Sequence, residues 1–359
     1  MFYSLILVAL GFTSGLLLSL GLIANAERFG CVDYPDHGRK CHGQPTARTG
    51  GLALWTILVL VQCTGWLPWP LHGTDWLGIH AMAFLGALDD RYTFKSRYKS
   101  LAGLAVAVLL ALPAASLLAQ TVEQVRFLHL TLPTRPVVTL PFLVLWYWSI
   151  PQAINLVDGI NGLAMGFSLL VLGALAWHSG ALPMLVGGAL VATLVLNFPR
   201  AKHFLGDCGS LMLGTLLAVL SVRLLVPGDA SLPVWVFAYP IADVSLVVAI
   251  RGWNRTPLGV GDRSHLHHWM MDRLGGRAWV ATPILLAFAA LPMLRATRAP
   301  GAATLSTLGV IALAGLGLKA FLDRVHPGLA RSPAPLAREA ALVPRPAPPA
   351  ESTGSQRLV

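Results

Sequence analysis

Charged residues are scarce in this sequence: they make up only 12% of its 359 residues, about half the usual share in a soluble domain. In contrast, 55% of the residues are hydrophobic, and the mean hydropathy is +0.66. A membrane-spanning helix needs roughly 20 apolar residues, and such stretches recur along most of the chain. The composition therefore excludes an ordinary soluble domain and predicts an all-α polytopic transmembrane helical bundle.

Carboxylates are rarer than basic groups, since 16 Asp and Glu residues oppose 26 Lys and Arg residues for a net charge of +10. Such a charge is common in proteins that bind nucleic acid, but no basic run here contains interleaved aromatic residues that could stack on bases. The Lys and Arg residues instead fall between apolar segments, in loops on alternate sides, as the positive-inside rule expects. We therefore expect no nucleic-acid partner.

The four cysteines have no paired spacing, which excludes a secreted disulfide framework. Cys31, His37, Cys41 and His42 lie close together in sequence and suggest a zinc loop. Their spacing matches no standard zinc-ligand pattern, so we interpret them as ordinary loop residues.

The first apolar stretch ends in an Ala-Asn-Ala triplet at 24–26, which resembles a signal-peptide cleavage site. However, no Lys or Arg precedes the stretch, whereas Arg28, Arg39 and Lys40 follow it. This order of charges favours a retained first span with its N-terminus outside.

Eleven apolar segments are predicted to span the membrane. They lie near residues 2–24, 50–69, 76–90, 100–119, 137–156, 160–177, 181–198, 208–226, 232–251, 278–294 and 301–322. With the N-terminus outside, nineteen of the 26 Lys and Arg residues fall in the predicted inside loops or the tail, which predicts a cytoplasmic C-terminus. The segments predict one membrane domain over 1–325, and the Pro-, Ala- and Arg-rich composition of 326–359 predicts a disordered cytoplasmic tail.

Four short polar islands interrupt the apolar pattern at residues 88–99, 155–162, 197–210 and 261–268. The predicted topology places all four on the cytoplasmic face. Charged groups are costly near hydrocarbon, so clusters of them at segment ends usually mark a functional site. The residue types in these islands suit the binding of a phosphate ester beside a metal ion.

Carboxylates distinguish the first and third islands. Asp89 and Asp90 are adjacent, and because like charges repel, a site that keeps both ionised needs a metal ion or a basic group such as Lys99. Asp207 stands at a glycine-flanked helix start, where one or two oxygens can hold Mg²⁺ and leave its other positions to water and substrate phosphate. The structural alternatives are a solvated helix end for the pair and an N-cap for Asp207.

Amide, carboxylate and imidazole groups distinguish the second and fourth islands. Asn155 and Asp158 are three residues apart and share a face if the helix continues, although a polar helix end followed by a turn is the alternative. His265, His267 and His268 offer donors suited to diphosphate oxygens. Zinc is the alternative for these histidines, but their short spacing differs from the usual ligand separations.

Taken together, the islands resemble those of the polyprenyl-phosphate N-acetylhexosamine-1-phosphate transferases, the bacterial glycosyltransferase family 4. The similarity runs in order from Asp33 to about Gly275. An early loop joins it, because DYPDHGRKCHGQPTARTGGLA is similar to the family stretch D-x-P-x-x-R-K-x-H followed by P-x-x-x-G-G-L. The matching residues of this loop are Asp33, Pro35, Arg39, Lys40, His42, Pro45, Gly50 and Gly51. Five motifs in order on one predicted face form a specific pattern, although each alone is weak.

The resemblance implies transfer of an N-acetylhexosamine 1-phosphate, expected to be that of N-acetylglucosamine (GlcNAc), from a UDP-sugar to undecaprenyl phosphate, with release of UMP. Mg²⁺ is the implied cofactor, and Mn²⁺ is a substitute. The reaction would be the first membrane step of a cell-envelope glycan pathway, such as lipopolysaccharide or cell-wall biogenesis, in the bacterial inner membrane. The implied partners are the two substrates and membrane lipid, and a homodimer is left open.

The resemblance also implies roles for individual residues. Catalytic roles fall on Asp89, Asp90, Lys99 and Asp207, and the three aspartates are the implied metal ligands. Substrate-binding roles fall on Asn155, Asp158, Asn197, Phe204, Arg263, His265, His267, His268, Arg39, Lys40 and His42. Phe204 would lie beside uracil, and the histidines would meet the diphosphate. The chain departs from the family pattern at Asn161, where many members have a second Asp, and at Cys208, where another small residue is usual.

Two alternative functions remain open. Another member of the same family would use UDP-GalNAc, a fucosamine-type donor or UDP-MurNAc-pentapeptide, although the H-x-H-H form of the fourth island is more similar to the GlcNAc branch. An ion-coupled transporter would use Asp89, Asp158 and Asp243 as relays, but the short, carboxylate-poor outside loops argue against it. Asp243, midway along an apolar segment, otherwise supports the site or pairs with a neighbouring helix.

Overall fold

Helices dominate the computed structural model, which describes residues 2–34, 44–65, 71–127, 130–179, 181–227, 229–255 and 265–298. The helices among these residues are α1 (Phe2–Ala24), α2 (Gly50–Thr64), α3 (Gly73–Tyr92), α4 (Ser96–Thr121), α5 (Pro136–Val157), α6 (Leu163–Ser179), α7 (Ala181–Asn197), α8 (Gly206–Leu225), α9 (Leu232–Val236), α10 (Ala238–Asn254), α11 (Leu266–Arg273) and α12 (Ala278–Arg298). Strand β1 (Val32–Asp33) pairs antiparallel with β2 (Thr46–Ala47), and β3 (Gln124–Phe127) pairs antiparallel with β4 (Leu130–Pro133).

The all-α polytopic membrane fold predicted from the sequence is confirmed. Ten of the eleven predicted segments coincide with helices, and α1, α4, α5 and α8 are long and apolar enough to cross a membrane by length and composition. The eleventh segment, 301–322, and the tail from 326 lie outside the described residues. The number of spans and their direction across the membrane therefore stay predictions.

The ninth predicted segment is broken into two helices. Helix α9 ends at Val236 and α10 begins at Ala238, with Phe237 between them in a non-helical conformation. Pro240 accounts for the break, because it has no N–H to donate to the carbonyl of Val236 and is tolerated only in the first turn of a new helix. Helix α11, which the hydropathy pattern did not predict, begins within the fourth polar island.

Helix α8 is the central element of the described bundle, and α2, α3, α5, α6 and α9 all pack against it. Within its apolar window 89% of the residues are buried, against 22% for the peripheral helix α1. Small residues permit this close packing. At Gly86 of α3, for example, an added Cβ would lie 2.2 Å from the carbonyl oxygen of Asp207 at the start of α8.

A buried ion pair joins α3 to α8 at the end opposite the first and third polar islands. Arg223, in the last turn of α8, donates to the two carboxylate oxygens of Asp75 at 3.1 and 2.8 Å. Asp75 lies in the first turn of α3 and also accepts the backbone N–H of His72 at 2.8 Å. The pair aligns the two helices, so that the end of α3 meets the start of α8 at the other end of the bundle.

Candidate active site

One lysine bridges two carboxylates where α3, α4 and α8 meet. Lys99, in the first turn of α4, donates to Oδ2 of Asp89 at 2.9 Å and to Oδ2 of Asp207 at 2.6 Å. The other oxygen of Asp89 accepts the backbone N–H of Phe94 at 2.7 Å. We call Asp89, Asp90, Asp207 and Lys99 the carboxylate cluster. Within it, the Lys99 ammonium is a cation that offsets two of the three acidic groups.

Asp90 caps the start of α8. Its Oδ1 accepts the backbone N–H of Asp207, and its Oδ2 accepts that of Cys208, both at 3.0 Å. The first N–H groups of a helix have no partner within the helix and carry partial positive charge, so a carboxylate stabilises them. Asp90 thereby fixes the register of α3 against α8, while Cys208 is buried and contributes its backbone rather than its thiol.

The three aspartates differ in access to the cavity next to them. Asp90 and Asp207 line this cavity, and the side chain of Asp207 is the more exposed, at 25% against 3%. Asp89 does not line the cavity, and both of its oxygens are bonded to protein donors. Among the metal ligands expected from the sequence, the geometry therefore favours Asp207, because both oxygens of Asp90, like those of Asp89, already accept hydrogen bonds from protein groups.

The second island supplies a further carboxylate to the cavity. Asp158 follows the last residue of α5, is half-buried and lines the cavity. Burial, and then the negative charges of Asp207 and Asp90, raise the pKa of Asp158 well above its usual range. Asp90, Asp158 and Asp207 face the same cavity and repel each other, and a bound divalent cation would relieve that repulsion. Oxygen ligands of this kind suit Mg²⁺.

Asparagine side chains hold the second and third islands together. Asn155 donates to Oγ of Ser210 at 2.9 Å and so ties α5 to α8. Asn197 is buried; its Oδ1 accepts the N–H of Gly162 at 2.7 Å, and its Nδ2 donates to the carbonyl of His203 at 2.9 Å. Asn161 donates to the carbonyl of Pro199 at 3.1 Å, a bond that a carboxylate at this position could not donate.

The early loop adds a basic group that the sequence analysis did not single out. Arg48 Nη2 lies 2.6 Å from Oδ1 of Asp33, its Nη1 lies 3.9 Å from Oδ1 of Asp90, and the residue lines the cavity. The β1–β2 pairing places Asp33 opposite Thr46, close to Arg48 in sequence. The family-like stretch from Pro45 to Leu52 contains Arg48, and this was the signal that could have identified it.

Close backbone packing positions the early loop. The N–H of Gly51, at the start of α2, donates to the carbonyl of Leu205 at 2.8 Å. A Cβ at Gly51 would lie 2.1 Å from the backbone nitrogen of Gly209 in α8, so a larger residue cannot fit here. Phe204 also contacts the early loop, since its N–H donates to the carbonyl of Ala47 at 2.7 Å. The residue lines the cavity, as a base-stacking role requires.

The fourth island forms a second polar cluster around α11. Asp243 of α10 contacts His265, the residue before α11, while His267 is buried and His268 lines the cavity. We call these four residues the histidine cluster. One oxygen or nitrogen each from Asp243, His265 and His267 lie within 4.8 Å of one another. The fourth island thus joins the other three at the cavity through His268.

The cavity has a volume of about 690 Å³, which falls within the range of small-molecule sites. Its chemically distinctive lining residues are Asp33, Arg48, Asp90, Asp158, Asn161, Asn197, Arg200, Phe204, Asp207, His268 and Trp279. Carboxylates and basic groups thus line the cavity together with two aromatic rings. The predicted residues Arg39, Lys40, His42 and Arg263 lie outside the described residues.

Comparison with known proteins identifies the family. A protein of Bacillus subtilis named "probable undecaprenyl-phosphate N-acetylglucosaminyl 1-phosphate transferase" is 31% identical over 263 residues, which cover 68% of this chain and 71% of that protein. The family model described as glycosyl transferase family 4 matches residues 75–225. This chain belongs to glycosyl transferase family 4.

Relatives with different names cover different shares of the chain. An undecaprenyl-phosphate alpha-N-acetylglucosaminyl 1-phosphate transferase of Thermotoga maritima is 28% identical over 269 residues, 75% of this chain and 81% of that protein. A phospho-N-acetylmuramoyl-pentapeptide-transferase of Leuconostoc mesenteroides is 32% identical, but over 163 residues, 40% of this chain and 49% of that protein. The similarity to the first kind of relative is the more extensive.

The family 4 match includes the carboxylate cluster and excludes the histidine cluster. Residues 75–225 span α3 to α8, and therefore all three aspartates and Lys99. Arg48 of the early loop and the four residues of the histidine cluster lie outside it. The cavity nevertheless takes residues from all of these parts, so the site is larger than the segment that the family model matches.

Proposed function

We propose that this family 4 protein transfers GlcNAc 1-phosphate from UDP-GlcNAc to undecaprenyl phosphate and releases UMP, with Mg²⁺ as cofactor. The observation that carries the proposal is the cavity in which Asp90, Asp158 and Asp207 stand together with Arg48 and His268. Two anionic substrates must meet in such a reaction, so the site needs both a cation held by carboxylates and basic groups that neutralise phosphate. The names of the relatives support the choice of sugar and acceptor.

The reaction is a phosphoryl transfer. An oxygen of the lipid phosphate forms a bond to the phosphorus that carries the sugar, and the bond from that phosphorus to the bridging oxygen breaks. The electron pair leaves with UMP, and a lipid-linked sugar diphosphate remains. Little covalent chemistry falls to the protein, so catalysis depends on alignment of the two phosphates and stabilisation of charge.

The carboxylate cluster would hold the metal ion and the acceptor phosphate. Asp207, with Asp90 and Asp158 beside it, would hold Mg²⁺, which when bound neutralises phosphate oxygens. Lys99 limits the negative charge of Asp89 and Asp207 and offers a donor to the acceptor phosphate. The pKa of Asp158, raised by burial and by two neighbouring carboxylates, fits a site that is completed by a cation.

Other residues of the cavity would bind the donor. Arg48 and His268 are placed to donate to diphosphate oxygens, and Phe204 offers a ring to the uracil. Asn155 and Asn197 would act by holding the loops, because Nδ2 of Asn155 and both polar side-chain atoms of Asn197 already bond to protein groups. The site would lie at the cytoplasmic surface of the inner membrane, where a soluble nucleotide sugar can reach a lipid-embedded acceptor.

The proposal is tested by UMP release from purified protein with undecaprenyl phosphate, UDP-GlcNAc and Mg²⁺, with EDTA as the metal-free control. Metal-dependent UMP together with a lipid-linked sugar product is the expected result. A panel of UDP-GalNAc, a fucosamine-type donor and UDP-MurNAc-pentapeptide tests the sugar. Release of UMP with one of these donors alone would contradict the choice of GlcNAc and leave the reaction class intact.

The proposed orientation has a separate test. A reporter fused after Arg331 is expected to be active only in the cytoplasm, because the positive-inside rule places the C-terminus there. Activity of the reporter only outside the cell would contradict the proposed topology.

A further inference from the structure

Asp243 holds the beginning of α11 through two bonds. It is a buried carboxylate, 3% exposed, on α10. Its Oδ2 accepts from Nδ1 of His265 at 2.8 Å, and its Oδ1 accepts the backbone N–H of Leu266, also at 2.8 Å. Because His265 immediately precedes α11, one carboxylate binds both the residue before the helix and its first N–H group.

The contact with Asp243 also determines where His265 carries its proton. An ionised carboxylate only accepts hydrogen bonds, so the nitrogen facing it must be the protonated one. A neutral His265 then has its proton on Nδ1 and an acceptor at Nε2, the tautomer that a carboxylate partner selects. Asp243 thus sets both the orientation and the tautomer of this ring.

A row of imidazole rings leads from His265 to the cavity. The rings of His265 and His267 stack, with their centroids 5.4 Å apart and their planes at 20°. The centroid of His267 lies 4.3 Å from that of His268, which lines the cavity. His267 is fully buried against Gly159 of the second island, where an added Cβ would lie 2.2 Å from its Nε2.

We propose that Asp243 is a positioning residue of the transferase. It fixes His265 with the proton on Nδ1 and holds the start of α11, so that His268 stands in the cavity where the donor diphosphate binds. This role rests on the proposed function, since it assigns the diphosphate to that wall. Asp243 itself does not line the cavity and acts through the histidines.

The decisive variant is Asp243→Asn. Asparagine keeps an oxygen for the N–H of Leu266 but presents an NH₂ group to Nδ1 of His265, so the ring must change tautomer or rotate. The matched control is Asp272→Asn, which removes the same charge from α11 itself, at a residue that does not line the cavity.

The first readout is independent of activity. We expect ¹⁵N-histidine NMR of the full-length protein in nanodiscs to show an Nδ1-protonated ring that is assigned to His265 by its loss in His265→Asn. Asp243→Asn should abolish that signature, and Asp272→Asn should keep it. A signature unchanged in Asp243→Asn would overturn the proposal even if the protein used another donor or had no transferase activity.

The second readout is kinetic. Asp243→Asn should lower kcat/KM for UDP-GlcNAc about 10- to 100-fold, as removal of an orienting carboxylate commonly does, while KM for undecaprenyl phosphate stays unchanged. His265→Asn should cause a similar loss, and the double variant should be no worse than the poorer single variant, because the two residues act as one unit. His265→Asn also tests the positioning role if Asp243→Asn does not fold.

Three outcomes would overturn the positioning role. Losses that multiply in the double variant would show that Asp243 does not act through His265. An equal rise in KM for both substrates would indicate general damage rather than positioning of the donor. Stoichiometric zinc in the purified wild-type protein that is lost in Asp243→Asn would make Asp243, His265 and His267 metal ligands instead.

Discussion

The carboxylate cluster and the histidine cluster meet at one cavity but are built in different ways. The first takes its side chains from α3, α4 and α8, and several bonds hold it: Lys99 bridges two aspartates and Asp90 caps α8. The second depends on α11, which has eight residues and is held at its start by Asp243. The central bundle thus fixes the groups suited to a metal ion, whereas one carboxylate orients the groups suited to the donor.

Removal of the Asp207 charge from the carboxylate cluster should have the largest effect on activity. Asp207→Asn should lower kcat about 10²- to 10³-fold, because a charged group placed for the transition state is lost, and it should raise the Mg²⁺ concentration that half-saturates the enzyme. UMP release over a Mg²⁺ titration measures both effects. The control is Glu27→Gln, which removes an exposed carboxylate that does not line the cavity. Near-normal turnover in Asp207→Asn would remove this residue from the metal role.

Substitution of Lys99 should lower the Mg²⁺ requirement, whereas substitution of Asp207 should raise it. Its ammonium lies 2.6 Å from Oδ2 of Asp207 and therefore competes with a cation for that oxygen. Lys99→Gln should lower kcat about 10- to 100-fold and yet reduce the Mg²⁺ concentration needed for half-saturation. The same titration measures it, with Lys95→Gln as the control at the exposed residue that precedes α4. A higher Mg²⁺ requirement in Lys99→Gln would contradict the competition.

Arg48 tests whether the early loop belongs with the carboxylate cluster or with the donor. Arg48→Lys keeps the charge but cannot reach Asp33 and a phosphate with the same planar fork, so we expect kcat/KM for UDP-GlcNAc to fall about tenfold. Arg91→Lys, at an exposed arginine beside Asp90, is the matched control. A loss confined to undecaprenyl phosphate kinetics would instead assign Arg48 to the acceptor.

Local sequence pattern predicted more of the carboxylate cluster than of the rest. Adjacent acids at a segment end, with Lys99 nearby, indicated a charged site because such groups are costly near hydrocarbon. The Arg48–Asp33 contact depends on the β1–β2 pairing, and the capping of α8 by Asp90 depends on how α3 meets α8. These are tertiary contacts, and hydropathy carries no signal for them.

Among the helices and strands, too, local sequence pattern predicted some elements and missed others. Apolar length predicted ten segments that are helical, because burial in hydrocarbon requires internal backbone bonding. It did not predict α11, an eight-residue helix whose sequence is not apolar, nor the β3–β4 hairpin, which is set by pairing between two short strands. The sequence also did not decide whether Asp243 supports the site or pairs with a neighbouring helix. The partner that distinguishes these roles, His265, is 22 residues away.

The smallest expected effect is on stability rather than turnover. Acid should destabilise the folded protein through His203, in the loop beside the carboxylate cluster. His203 is fully buried, its Nε2 donates to the carbonyl of Thr193 at 3.3 Å, and its Nδ1 has no hydrogen-bond partner among the described residues. Burial lowers the pKa of His203 to about 4. The folded protein therefore holds this ring neutral, in a loop whose carbonyl at 203 binds Asn197.

Acid should lower the stability because His203 binds a proton more readily in the unfolded chain than in the folded protein. Unfolded, His203 would titrate near 6.5, so below that pH the unfolded chain takes up a proton that the folded chain does not. The stability contributed by the neutral ring is complete above about pH 6.5 and is lost as the pH falls towards 4. At pH 5 the loss is about 2 kcal/mol. Thermal unfolding in detergent at pH 7.5 and 5 should show a smaller fall for His203→Gln than for wild type, and equal falls would mean that His203 is not held neutral.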